Sequence, residues 1–307
     1  MSFTASDVKE LRDRTGAGMM DCKKALTEND GDLEKAIEWL QVKGIAKAAK
    51  KADRIAADGR VATFVSDDGK TGAIVEINCE TDFVARNDDF AAFSQKIVEH
   101  AAAVGTNSVD ELLASSLDGT TIEEIRKAKV AAIGENITIR RVGVVTAPEG
   151  TIGTYVHGEG LKGALVSINT SGAASNDALA EIGKQVSMHA VAMAPRFLDQ
   201  NDIDDATVET ERRIQTEAAL ESGKPREIVE KMIEGRLRKW KQEICLVDQP
   251  FVMNPDLTVG AHVASAAKEA GIEKAKLDSF VLFVRGEGIE KKEMNFADEV
   301  AAMAGQG

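Results

Sequence analysis

The feature that most restricts how this chain can fold is an internal repeat. Laid over one another without a gap, residues 59–78 (GRVATFVSDDGKTGAIVEIN) and 150–169 (GTIGTYVHGEGLKGALVSIN) agree at nine of twenty positions, each pair 91 residues apart. The agreements are Gly59/Gly150, Thr63/Thr154, Val65/Val156, Gly69/Gly160, Gly72/Gly163, Ala73/Ala164, Val75/Val166, Ile77/Ile168 and Asn78/Asn169. Once two residues are dropped, Asn87-Asp88 lies over Asn176-Asp177 and His100-Ala101 over His189-Ala190. In the first copy, β-rich runs flank Asp67-Asp68-Gly69-Lys70, a hairpin signal, and a helical period follows over about Asn87 to Ala103. A period this long does not suit a solenoid and fits two homologous subdomains. Hairpins followed by helices predict α+β layers rather than a doubly wound parallel sheet.

The flanking segments are helical. Asp7–Arg14 carries Val8 and Leu11 on one face and stops at Thr15-Gly16-Ala17-Gly18. A second helix covers about Met20–Glu28. Asn29-Asp30-Gly31 breaks it, and Asp30 or Asp32 caps a third holding Leu33, Ala36, Ile37 and Leu40. The lysine-rich Lys47–Arg54 that follows reads as a solvated helical linker. Thr121–Ile133 opens with the capping-box pattern Thr121-Ile122-Glu123-Glu124, and Ile137–Val145 is strand-like. After the second copy come Asp204–Glu221 and a helix with Ile228, Val229, Met232, Ile233, Leu237 and Trp240 at helical spacing, separated by the stop–start signal Gly223-Lys224-Pro225. Such a charged hairpin with a narrow apolar seam projects from a globular body. It reads as an insertion, because a helix near Val259–Glu269 and a strand near Ser279–Arg285 follow. Met294–Met303 is expected to be a short amphipathic helix.

Composition removes several classes of function. Lys and Arg total 38 against 51 Asp and Glu, a net charge of −13, and aromatics are 4% of the chain. General nucleic-acid binding needs clustered cations, and base stacking needs aromatics. No apolar run approaches a membrane span, and the acid-bearing N-terminus shows no export signal, so a cytoplasmic protein is expected. Cys22, Cys79 and Cys245 are far apart and outside any CxxC, as reduced thiols are. There is no GxxxxGK[ST] loop, and Gly158-Glu159-Gly160 sits in a hairpin turn rather than between a strand and a helix. His100 and His189 occupy equivalent repeat positions, which favours a structural role over catalysis. No enzymatic constellation, metal set or cofactor site is expected.

The repeat also exposes where its copies differ. Between strand and helix the first copy reads Cys79-Glu80-Thr81-Asp82-Phe83-Val84-Ala85-Arg86, the second only Thr170-Ser171-Gly172-Ala173-Ala174-Ser175. Loops on rigid scaffolds are where function tends to sit. Phe83 is either tucked against its own helix or displayed as a wedge beside a carboxylate. Met19-Met20 either fill the small helical core or supply an adaptable docking face. His157, whose counterpart is Ser66, stands at a hairpin tip, where a binding role and a plain solvated histidine are both compatible with the sequence.

The run Leu11-Arg12-Asp13-Arg14-Thr15-Gly16-Ala17-Gly18-Met19-Met20-Asp21-Cys22-Lys23-Lys24-Ala25-Leu26 closely resembles the N-terminal signature of the bacterial elongation factor Ts family. Further marks follow in family order: Ala56-Ala57-Asp58-Gly59, Thr81-Asp82-Phe83-Val84-Ala85, Ile133-Gly134-Glu135-Asn136-Ile137, Ser222-Gly223-Lys224-Pro225, Gln249-Pro250-Phe251-Val252-Met253 and Gly286-Glu287-Gly288-Ile289-Glu290-Lys291. The resemblance implies a ubiquitin-associated-like (UBA-like) three-helix domain over 1–55 and a core N-subdomain over 56–147. A core C-subdomain over 148–200 and 242–285, an inserted coiled-coil hairpin over 201–241 and a C-terminal helical module over 286–307 complete it. It implies a guanine-nucleotide exchange factor for elongation factor Tu, without catalytic residues, cofactor or direct nucleic-acid contact. Thr81, Asp82, Phe83 and Val84 match the family stretch that enters the partner's GTPase domain and disturbs its magnesium and phosphate site. His157, in Tyr155-Val156-His157-Gly158, matches the family's hairpin histidine, and Arg12, Met19, Met20 and Lys23 match its N-terminal contacts. Arg86 stands where a lysine is common. A passive scaffold or chaperone-like partner using the hairpin is the alternative function. Whether the chain forms a homodimer or a heterotetramer with its partner is not fixed by the sequence.

Overall fold

The structure, a computed structural model, describes residues 3–171, 177–221 and 225–290. In chain order the elements are α1 (Ala5–Thr15), α2 (Met19–Glu28), α3 (Leu33–Ala49), β1 (Asp58–Val65), β2 (Thr71–Cys79), α4 (Asp82–Ala85), α5 (Asp88–Val104), α6 (Val109–Ala114), β3 (Ser116–Leu117), β4 (Thr120–Thr121), α7 (Ile122–Ile133) and β5 (Thr138–Thr146). Then follow β6 (Gly150–His157), β7 (Lys162–Asn169), α8 (Asp177–Met193), α9 (Asp205–Glu221), α10 (Arg226–Ile244), β8 (Pro250–Phe251), β9 (Asn254–Thr258), α11 (Val259–Glu269) and β10 (Lys276–Val284). Helices and small antiparallel sheets in separate layers make this an α+β fold. The expected amphipathic helix at Met294–Met303 lies outside the described residues.

Two three-stranded antiparallel sheets form the centre, in the orders β1-β2-β5 and β6-β7-β10. Their hairpins share one register displaced by 91 residues: Gly59 pairs with Asn78 as Gly150 does with Asn169, and Val65 with Gly72 as Val156 does with Gly163. Strand alternation divides β2 between two faces. Ala73, Val75 and Ile77 point into the core shared with Phe90, Phe93, Ile97 and Ala101 of α5. Ile74 points the other way, into a cluster with Val61, Val145, Ile152, Leu165 and Phe283 from both sheets. In β7, Ala164, Val166 and Ile168 meet Leu179, Ile182, Val186 and Ala190 of α8, while Leu165 faces the other sheet. The layers therefore run helix, sheet, sheet, helix, and both central strands read as nearly unbroken apolar runs because both faces are covered.

The hairpins grip each other reciprocally. The Val61 amide donates to the Gly160 carbonyl at 2.8 Å, and the Ile152 amide, 91 residues on, donates to the Gly69 carbonyl at 2.9 Å. A methyl on Gly72 would sit 2.8 Å from Ile152, and one on Gly163 2.7 Å from Val61. The shared glycines at these positions are thus the space each hairpin leaves for the other. Gly59 and Gly150 are held by a different contact, because a Cβ there would come within 2.1 and 1.8 Å of the Ile77 and Ile168 carbonyl oxygens of their own hairpins. One further approach belongs to the second copy alone. A Cβ on Gly153 of β6 would lie 2.0 Å from the backbone of Gly183 of α8; the first copy has Ala62 and Ser94 there.

A buried charge ties the sheet edges together. Glu76 on β2 is fully buried and accepts from Arg141 at 2.6 Å, Arg140 at 3.1 Å, Asn78 at 3.1 Å and the Gly286 amide at 2.7 Å. Burial alone would raise its pKa; the Gly286 amide, Asn78 and Arg141 outweigh that and hold it below the ordinary carboxylate value. Gly286-Glu287-Gly288 is consequently fastened to the first sheet.

Around this centre, α1, α2 and α3 enclose a core of their own with Val8, Leu11, Cys22, Ala25, Leu26 and Ala36. The segment expected as a solvated helical linker is exposed at most of its positions but is tied down at two of them. Helix α3 runs on to Ala49, Ala48 is buried in the α5 core, and the Lys51 ammonium bonds the Gly134 carbonyl beyond α7. Helices α9 and α10 pair along a seam of Ala219, Val229, Ile233 and Leu237 with Trp240 beside it. An Arg212–Glu234 ion pair crosses between them. Ile228, one of the residues at helical spacing, faces solvent instead, as does Ile214 of α9. All three cysteines are buried and unbridged; burial, with nearby acids, pushes Cys79 up to about 12.

His189 of α8 is buried and structural. Its Nε2 faces Gln249 Oε1 at 2.9 Å and its Nδ1 accepts the Val252 amide at 3.2 Å. Phe251 lies between this ring, 5.8 Å away, and that of His262, stacked at 4.0 Å. Burial lowers the pKa of both histidines.

Two expectations follow. Gly153→Ala forces a methyl into the α8 backbone and should cost about 1–3 kcal/mol, measured as a lower urea midpoint at unchanged slope. Because the native state resists protonating His189 and His262 while the unfolded chain does not, their contribution is intact above the unfolded pKa of about 6.5 and is lost as pH falls below it. The urea midpoint should drop between pH 7 and pH 5, and His189→Gln should flatten that slope.

Candidate functional site

The segment that distinguishes the first copy is short and firmly held. Helix α4 is a single turn, with Thr81 as its N-cap accepting from the Val84 amide at 3.4 Å. Ala85 is buried, Val84 is packed on the α5 core, and the Cys79 thiol donates to the Thr81 carbonyl at 3.2 Å. Glu135, just beyond the αL glycine that ends α7, accepts the amides of Glu80 and Thr81 at 3.0 Å each and the Thr81 hydroxyl at 2.6 Å. Glu80 in turn accepts the Asn136 amide at 2.6 Å and pairs with Arg54 at 2.8 Å.

On this fixed turn Phe83 is 84% exposed. Of the two fates open to it, the structure displays the ring. Burying an aromatic is worth several kcal/mol, and the free protein leaves that unrealised at this ring. Asp82 stands beside it and pairs with Arg86 at 3.3 Å, partly exposed.

His157 ends β6, exposed, with Nδ1 3.2 Å from the Tyr155 hydroxyl. Its turn and the Phe83 turn converge on one residue, Arg60. The guanidinium of Arg60 donates to the Ala85 carbonyl at 3.3 Å, and a methyl on Gly160 would come within 3.1 Å of the Arg60 Cβ. Thr81, Asp82, Phe83, Val84 and His157 thus belong to adjoining parts of the molecule. Arg12, Met19, Met20 and Lys23 are grouped elsewhere, around the turn between α1 and α2. Neither methionine fills the core: Met19 is 46% and Met20 76% exposed, and Arg12 and Lys23 are exposed beside them.

A third exposed apolar place, not among the candidate site residues, is Val252-Met253 in the β8–β9 turn, 47% and 60% exposed above the buried Phe251. The pair lies within the motif Gln249-Pro250-Phe251-Val252-Met253, but periodicity cannot say which of its five residues turn outward. Arg60, Glu80 and Glu135 were likewise missed as parts of the site, because their partners lie 25 to 56 residues away in sequence. Among the described residues, no group of three or more His, Cys, Asp or Glu could hold a metal ion, and no helix is long and apolar enough to cross a membrane. The exposed apolar side chains described here, Phe83, Met19, Met20, Val252 and Met253, lie at three separate turns.

The family model described as Elongation factor TS matches residues 80–287. The chain is 49% identical over 305 residues to Elongation factor Ts of Clostridium perfringens (strain SM101 / Type A), covering 99% of this chain and 100% of that protein. It is 51% identical over 310 residues to Elongation factor Ts of Brucella anthropi, covering 99% of each. With a family match over most of its length and relatives of this identity from end to end, the chain belongs to the elongation factor Ts family.

Proposed function

We propose that this protein is a guanine-nucleotide exchange factor for elongation factor Tu in cytoplasmic translation elongation, acting by differential binding and not as an enzyme. The observation that carries the reading is the exposed Phe83 ring on an anchored turn, in a chain of this family. In this reading the division of the chain is that expected from sequence. A UBA-like unit spans 1–55, two duplicated subdomains span 56–147 and 148–200 with 242–285, an inserted coiled-coil hairpin spans 201–241, and a C-terminal module is assigned to 286–307, of which 291–307 lie outside the described residues. The separate α1–α3 core, the repeated hairpin register and the α9–α10 seam support it.

The mechanism is linkage. A protein that binds the nucleotide-free GTPase more tightly than the loaded one must lower nucleotide affinity by the same factor. Thr81, Asp82, Phe83 and Val84 enter the GTPase near its magnesium and phosphate site. Magnesium requires near-ideal octahedral oxygen geometry, so a small displacement of its ligands weakens its hold. His157 contacts the partner beside this turn, since Arg60 joins the two. Arg12, Met19, Met20 and Lys23 form a second contact, where soft methionines adapt to a partner surface. Several patches are needed because one turn buries too little area for a specific complex. GDP leaves, and GTP then displaces the factor.

A second reading, a passive scaffold or chaperone-like partner, draws on Ile214 and Ile228, which are half exposed on the helical arm. It requires a tight complex in which GDP release is unchanged.

The deciding measurement mixes this protein with elongation factor Tu loaded with fluorescent GDP. Release should accelerate with factor concentration, and unaltered release with complex formation would favour the scaffold. Phe83→Ala should slow the accelerated release by about 30-fold, the effect of losing ~2 kcal/mol at an aromatic anchor. Its thermal midpoint should be unchanged, because the ring is exposed in the free protein.

A further inference from the structure

We infer that Glu135 is a positioning residue for the Phe83 turn, acting through the placement of its carboxylate oxygens and not through its charge. The inference rests on the exchange reading above and names the residue that makes the wedge rigid.

Helix α4 has four residues, too few to hold itself: a first helical turn fixes several dihedrals for a single hydrogen bond. Its order must be supplied from outside. Glu135 Oε2 takes the Glu80 and Thr81 amides, and Oε1 takes the Thr81 hydroxyl. That hydroxyl also accepts the Val84 amide. A chain of contacts thus runs from Glu135 through Thr81 to the residue after Phe83. Glu80 completes an exchange of carboxylates by accepting the Asn136 amide, so each segment holds the other's backbone.

The described residues at the corresponding point of the second copy are held by other bonds: the Thr170 amide bonds the Glu149 carbonyl and the Ser171 amide bonds Asn169 Oδ1. The support beneath Glu135 is itself rigid. Helix α7 begins with a capping box at Thr121 and Glu124 and ends at Gly134 in the αL conformation, whose carbonyl holds Lys51. A turn ordered before docking does not lose that freedom on binding.

The geometry separates shape from charge. Glutamine at 135 keeps the reach: its carbonyl oxygen can take both amides and its NH2 can donate to the Thr81 hydroxyl oxygen. Aspartate keeps the charge but withdraws the oxygens by about 1.5 Å, one carbon–carbon bond, beyond hydrogen-bond range of the amides.

The test measures accelerated release of fluorescent GDP from elongation factor Tu with Glu135→Gln, Glu135→Asp and Glu135→Ala, alone and combined with Phe83→Ala. Gln should stay within about threefold of the parent, while Asp and Ala slow release by about tenfold, the scale of a lost hydrogen bond to a charged group. In the Phe83→Ala background none should slow release further, since a residue that acts through the turn has nothing left to position. Aspartate at the parent rate with glutamine slow would overturn the inference in favour of charge. Full additivity with Phe83→Ala, or no effect of Ala alone, would overturn it outright. If Phe83→Ala itself releases GDP at the parent rate, the wedge reading fails and this inference with it, an outcome distinct from the others.

Discussion

The structure depends on two backbone hydrogen bonds, from Val61 to Gly160 and from Ile152 to Gly69, that relate one hairpin to the other. They are equivalent under the 91-residue repeat, so the hairpins are joined about an approximate two-fold. Gly72 and Gly163 permit the approach by leaving room for Ile152 and Val61. Around that join, Ile74 and Leu165 occupy matching places in one apolar cluster, as do Val145 and Phe283. Neither sheet could bury this face alone, and the helix on the opposite face of each completes the layers. Every other element is placed relative to this centre.

Symmetry in the centre makes its departures informative. Where the first copy has Glu76, buried among arginines, the second has Ser167. Where the second has Gly153 and Gly183 in close contact, the first has Ala62 and Ser94. The loops between the second strand and the helix differ most, and there the first copy holds an exposed aromatic on a turn fixed by charge-assisted hydrogen bonds. A shared scaffold carries the burial, and a single loop is free to diverge.

Much of this was legible in the sequence, for identifiable reasons. The repeat showed itself because its glycines and apolar residues answer to backbone approach and two-faced burial, which few residue types satisfy. The capping box at Thr121 and the glycine-stopped helices were readable because such signals are local. The short elements were not: α4, α6 and the β3–β4 and β8–β9 hairpins have too few residues to display a period. The exposure of Phe83 and Met19 was undecided for a related reason, since an apolar residue near a turn faces inward or outward according to what packs beside it. Long-range pairings such as Glu135 with Thr81, or Arg60 with Ala85, leave no trace in spacing at all.

Arg60 gives this arrangement one more property. It lies in β1, touches the turn that carries Phe83, and backs onto the glycine turn that follows His157. The turn after β2 and the turn after β6 thus both meet one residue of β1, although they belong to different sheets. In the exchange reading proposed above, this makes the pair a gauge: a GTPase that meets both brings its own two points to that spacing.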